Sequence, residues 1–177
     1  RIPAWLRPRS PVACAESLYP ALFFKEMSVA QLLFVIHFAA TWYLVGLCWL
    51  VQRVQYPLMD RVGEGNFVAY EGGHVSRIGL VVAPMMLVEL ASGTLLLIFG
   101  GDLTRRPIFI AGMLILSVIW LSTFFIQVPL HNMLAAGFDA ESHASLVRTN
   151  WIRTLGWSAR GILLLWMLTE MLSFEPA

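Results

Sequence analysis

The chain has 177 residues, 58% of them hydrophobic and 13% charged. A soluble domain runs roughly 45–50% apolar and about 25% charged, so an ordinary water-soluble fold is excluded. The formal net charge is +1 and no dense basic run exists, which excludes a nucleic-acid footprint.

The first 26 residues hold four prolines and no long apolar run. They are expected to form a tail, partly disordered or upstream of the true start, ahead of a single membrane domain at 27–177. Met27 stands directly before the first span and is a candidate start. No signal peptide with a small-residue cleavage site is visible, so the first span is expected to act as an uncleaved anchor. Cys14 lies in the tail and Cys48 near the far end of the first span. The pair is expected on opposite sides of the bilayer, without a disulfide. No Cys/His spacing resembles a zinc site, and no metal is expected.

A membrane helix needs about 20 mostly apolar residues. Four stretches qualify: 28–51, 78–99, 108–128 and 157–174. Pro57 and Pro129 are expected to stop the first and third helices, because proline lacks the donor a helix needs. Backbone groups must be satisfied internally in lipid. The expected fold is therefore all-α, an antiparallel four-transmembrane-helix bundle. Short amphipathic helical segments are predicted in the two long connections. No internal repeat is expected beyond a loose span–loop–span pattern. Four spans put both termini on one side. The tight turn carrying Arg105 and Arg106 tips them to the cytoplasmic face of a bacterial inner or plasma membrane.

In the second connection Asp139 is a predicted N-cap, with Glu141 in the first turn. From there a helix can run unbroken into the fourth span. His143, Leu146, Asn150, Arg153, Trp157 and Arg160 then share one face.

Two ionisable residues lie deep in spans. His37 is about 14 Å into the first and Glu89 about 16 Å into the second, at 1.5 Å per residue. Both depths fall near the middle of a ~30 Å core, so an intramembrane His37–Glu89 pair is expected. Such groups are either packing hydrogen bonds or functional sites. A second cluster is predicted where the long connections meet the bilayer. It gathers Glu71, His74 and Arg77 before the second span, and Gln127, His131 and Asn132 after the third. Arg153 and Arg160 join from the fourth helix. Arginines there would stabilise a negative charge while a histidine moves protons. The competing explanation is a headgroup-level belt of snorkelling arginines and interfacial tryptophans.

The P-L-H-N-M-L run, with Pro129 and Asn132, resembles the P-x-N signature of the anthrone-oxygenase-like four-helix membrane proteins. In this chain His131 is inserted between Leu130 and Asn132. The segment from Trp151 to Arg160 is similar to the W…R opening of that family's fourth helix. The H-F-A-A-T-W-Y-L-V-G stretch beginning at His37 resembles its first helix. That stretch also resembles haem-associated four-helix families, of the membrane protoporphyrinogen oxidase and copper-resistance D types. The first resemblance implies an oxidoreductase that oxygenates a small lipid-soluble aromatic substrate, with no evident metal or flavin. His74, His131 or His143 would then take a proton, while Asn132, Arg153 and Arg160 hold the anion. The second implies haem with His37 as an axial ligand. The non-enzymatic alternative is a transporter, or an accessory subunit of a larger membrane complex. Expected partners are the lipid bilayer, a small hydrophobic substrate, and further copies of the chain or other subunits.

Overall fold

A computed structural model describes residues 27–173 except Arg105; at Leu103 only the backbone is described. The N-terminal tail with Cys14, the Arg105 half of the tight basic turn and the chain from Phe174 onward lie outside the described residues. Among the described residues every regular element is helical. Four long helices carry the fold: α1 (Val29–Met59), α2 (Glu64–Phe99), α3 (Pro107–Leu134) and α4 (Ala140–Ser173). Three of them, α1 to α3, are long and apolar enough to cross a membrane. α4 has the length, at 34 residues. Arg160 and Glu170 fall in its most apolar stretch and leave it short in composition.

Local chemistry explains the helix ends. Ser28 opens α1 with a capping box: its hydroxyl accepts from the Gln31 N–H, and the Gln31 side chain accepts from the Ser28 N–H. Gly63 precedes α2 at φ 80°, a backbone state closed to most side chains. Asp139 caps α4, its carboxylate accepting from the Ser142 N–H at 2.7 Å. The long connections do not contain separate short helices. α2 already begins at Glu64 and α4 at Ala140, so each helix extends well beyond its apolar stretch.

The two prolines do not stop their helices. α1 passes through Pro57 to Met59, and α3 passes through Pro129 to Leu134. Each proline follows one widened turn, Val51–Gln55 in α1 and Thr123–Gln127 in α3. There the Tyr56 N–H reaches back five residues to the Val51 carbonyl, and Val128 to Thr123. A proline ring collides with the carbonyl four residues earlier; a π-type turn moves that carbonyl aside and lets the helix resume. The string Gln-x-Pro-Leu occurs at both places, residues 55–58 and 127–130. The two halves therefore share a local device that is invisible when only span lengths are compared.

Side-chain contacts fix the helix directions. From α1 to α2, Thr41 meets Glu89 and Gln55 meets His74. From α1 to α4, Trp49 meets Ser158 and Gln52 meets Asn150. From α3 to α4, Arg106 pairs with Glu170 and Gln127 with Thr149. Each of these pairs runs antiparallel. Glycines permit the closest approaches. A Cβ on Gly156 would lie 2.9 Å from Ile119, and one on Gly93 would lie 2.8 Å from the His37 ring. α2 and the Pro107–Ser122 part of α3 meet where the Met113 side chain approaches Gly93, and a cavity lies between the two helices elsewhere.

Candidate functional site

Two clusters of buried ionisable side chains sit inside the helix packing. The deeper one is centred on Glu89, whose side chain is fully buried. Its Oε1 accepts from the Thr41 hydroxyl at 2.6 Å and from Arg160 Nε at 3.2 Å. Its Oε2 accepts from Trp157 Nε1 at 2.9 Å. Arg160 also donates to the Gly112 carbonyl and stands 3.0 Å from His37 Nε2. The opposite nitrogen of His37, Nδ1, faces the Glu89 carbonyl and the Ser92 hydroxyl, each at 3.0 Å. The expected His37–Glu89 pair thus exists at the level of backbone, while the carboxylate goes to Arg160. Every polar atom of this cluster has a partner, which is the condition under which a charge pair survives away from water.

This arrangement corrects the grouping of Arg160 with the outer residues. One helical face of α4 does carry Asn150, Arg153, Trp157 and Arg160 inward, all of them buried. That face spans several turns, so its residues reach different depths. Trp157 is likewise no interfacial belt residue; it is fully buried in the core. A haem on His37 does not fit the arrangement. Both ring nitrogens are engaged, and the void beside the ring measures about 10 Å³.

The outer cluster builds the candidate site. Glu71, fully buried on α2, accepts from His131 Nδ1 on α3 at 2.6 Å. His131 Nε2 faces the Tyr56 hydroxyl on α1 at 3.0 Å. With Nδ1–H committed to the carboxylate, Nε2 is left to accept the Tyr56 proton. Three helices thus contribute one member each to a Glu–His–Tyr chain. His74 stands beside it, its ring 5.5 Å from that of His131. Gln55 donates to His74 Nδ1. Arg153 reaches in from α4, lying 5.2 Å over the Trp157 ring.

This chain ends at a cavity of about 280 Å³ between α2 and α3. Tyr56, His74, His131, Asn132, Gln127 and Arg153 line its polar end. Leu47, Cys48, Ile78, Val82, Met86, Trp120 and Phe124 line the apolar remainder. Both widened turns contribute to the wall, through Val51, Thr123 and Phe124. A small apolar cavity with a few convergent polar groups is the usual form of a small-molecule site.

Of the residues predicted for this cluster, Glu71, His74, Gln127, His131, Asn132 and Arg153 come together at or directly behind this wall. Arg77 does not; it is exposed and donates to the Gly73 carbonyl of its own helix. His143 turns away as well, bonding the Tyr56 carbonyl at 2.8 Å. Sequence reasoning misses Tyr56, Gln55 and Gln52, because Pro57 reads as the end of the helix there. The recurrence of Gln-x-Pro-Leu was the signal that could have found them. Among the described residues no group of three or more His, Cys, Asp or Glu side chains is placed to hold a metal.

No family model, curated protein or solved structure matches this chain.

Proposed function

We propose that α4 forms a fourth span and closes an antiparallel four-transmembrane-helix bundle. The cavity between α2 and α3 is then the active site of an oxidoreductase, of the oxygenase kind, acting on a small lipid-soluble aromatic substrate. The observation that carries this is the Glu71–His131–Tyr56 chain, which ends at an apolar cavity also lined by Arg153. A substrate acid proton passes to the Tyr56 oxygen as the Tyr56 proton moves to His131 Nε2. Glu71 stabilises the imidazolium that results. Arg153 stabilises the phenolate or enolate left on the substrate. The anion's carbon adds to dioxygen, the co-substrate and oxidant; the peroxide so formed takes back the proton held by the relay and loses water, leaving a carbonyl on the ring.

The resemblance to the anthrone-oxygenase-like family supports the same assignment. Its Asn132 and Arg153 positions line this cavity. Its Arg160 position serves the deeper ion pair instead. The apolar wall and the seam between α2 and α3 suit a substrate that arrives from the bilayer rather than from water.

The test is oxygen uptake by the purified protein in detergent, with an enolisable tricyclic aromatic ketone as substrate. Tyr56→Phe and His131→Ala should each lower turnover by about 10²-fold or more, the usual worth of a positioned acid–base group. Unchanged turnover in both variants, with turnover present in the native chain, would remove this assignment.

A further inference from the structure

The cavity between α2 and α3 has a buried floor and exposed lips. Cys48, Val51 and Met86 on its wall are buried. Val75, Phe124 and Val128 line the same cavity, yet they are 39%, 56% and 42% exposed. The exposed lining residues recur at every fourth position, Val75, Gly79 and Ala83 on α2 and Phe124, Val128 and Asn132 on α3. Residues at that step share one side of a helix, so each lip spans about 12 Å at 1.5 Å per residue. The helices run antiparallel, because His131 meets Glu71 toward one end and Met113 approaches Gly93 farther along. That register sets Val75 level with Val128 and Gly79 level with Phe124. The cavity is therefore a slot along the seam, open sideways where a membrane-embedded chain meets lipid.

The two ends of the slot differ. Asn132 lies two residues before the end of α3 and Tyr56 three before the end of α1, so the polar groups gather toward the long connections. Farther along, Leu47, Val82, Ala83 and Met86 present apolar side chains. An engineered cavity of about 150 Å³ holds benzene. About 280 Å³ then takes a ring and one short chain, but not the two chains of a phospholipid. We infer that the substrate is a head-and-tail molecule: a hydroxyl-bearing ring with a single hydrocarbon tail. The ring sits at the Tyr56 and Asn132 end, and the tail runs along the slot past Gly79 toward Met86. This deepens the reading of the same site, and it takes from that reading the location of the site and the hydroxyl on the ring.

A tail gains little by moving from lipid into protein, because the two surroundings are about equally apolar. Its position, rather than its affinity, is the readout. The probe is 4-octylphenol with a diazirine at the tail end, photolysed with the purified chain in phosphatidylcholine vesicles and mapped by peptide mass spectrometry. Label should fall within 78–86 and 120–124, and excess 4-octylphenol should suppress it. Octylbenzene, with the same tail and no hydroxyl, should compete about tenfold or more weakly, since a site built to bond a hydroxyl rejects the analogue lacking it. A Cβ at Gly79 meets nothing within 4 Å, so Gly79→Phe can place its ring in the slot and should remove the competed label. Competed label confined to other stretches overturns the inference, as does octylbenzene competing equally. So does competed label that survives in a folded Gly79→Phe protein. Label in the slot that 4-octylphenol does not suppress also overturns it, and leaves the slot to lipid chains or a second copy. The native map decides even if the variant fails to fold. If the competed label lies in the slot but Tyr56→Phe keeps full turnover, only the enzymatic reading falls. If Tyr56-dependent turnover stands without that label, only this inference falls.

Discussion

Arg160 shows how one residue changes meaning with its partners. On sequence it is a cation a few residues inside a span, readable as a snorkelling headgroup contact. In the structure its guanidinium meets Glu89 at 3.1 Å with both side chains essentially buried. Removing one member strands the other charge, which is the costly case. Arg160→Gln should destabilise the fold by about 3–5 kcal/mol, read from unfolding in detergent. Adding Glu89→Gln should restore part of that loss, because the stranded carboxylate is gone. A double variant no better than the single would remove the pair from its central place.

Asp139 is a simpler case at the aqueous end. Its carboxyl is held below the usual range, chiefly by the hydrogen bonds it accepts from the Ser142 side chain and backbone. A carboxylate whose folded pKa is depressed contributes stability above its unfolded pKa and loses it as the pH falls through the folded value. Asp139→Ala should loosen the first turn of α4 near neutral pH and leave no further difference from the native chain in strong acid. Hydrogen exchange at residues 140–143 at the two pH values reads this.

At the scale of the helix, the widened turns ahead of Pro57 and Pro129 set which residues face the cavity. One extra residue per turn rotates everything beyond it by about 100° relative to an unbroken α-helix. Tyr56 and His131 lie beyond these turns, so their meeting depends on both. The 3.6-residue periodicity used to read faces from sequence fails at such a turn. This is why Tyr56 was not legible while the buried face of α4 was.

Gly79 tests the cavity with little damage to packing. It lines the wall, and a Cβ built there meets nothing within 4 Å. Gly79→Phe should fill the space and abolish ligand binding. Thermal stability should stay unchanged or rise slightly, since glycine inside a helix costs roughly 0.5–1 kcal/mol against alanine. Retained binding in a folded Gly79→Phe protein would place the ligand elsewhere.

For the whole molecule, the prediction is that α4 crosses the bilayer. Its antiparallel contacts with α1 and α3 support a crossing, as does the inward aim of Asn150, Arg153 and Arg160. Single cysteines placed on a Cys14→Ser, Cys48→Ala background locate the loops. Cysteines at Asp60 and Glu141 should label from one side of the membrane, and one at Asp102 from the other. Under the orientation read from the Arg105–Arg106 turn, position 102 is cytoplasmic. Labelling of 60 and 102 from the same side would break the proposed topology.

Composition and apolar run length alone determined that this chain is helical and carries membrane-spanning segments. In lipid the backbone satisfies its polar groups either within a helix or in a closed barrel, and continuous apolar runs of about 20 residues suit the helix. Depth in a span also singled out His37 and Glu89, because rise per residue is fixed. Partner choice was decided only by tertiary packing. Whether Arg160 joins Glu89 or Arg153, and whether Tyr56 reaches His131, depends on helix rotation, close glycine contacts and two widened turns. Those depend on contacts between residues far apart in the chain, which no local periodicity encodes.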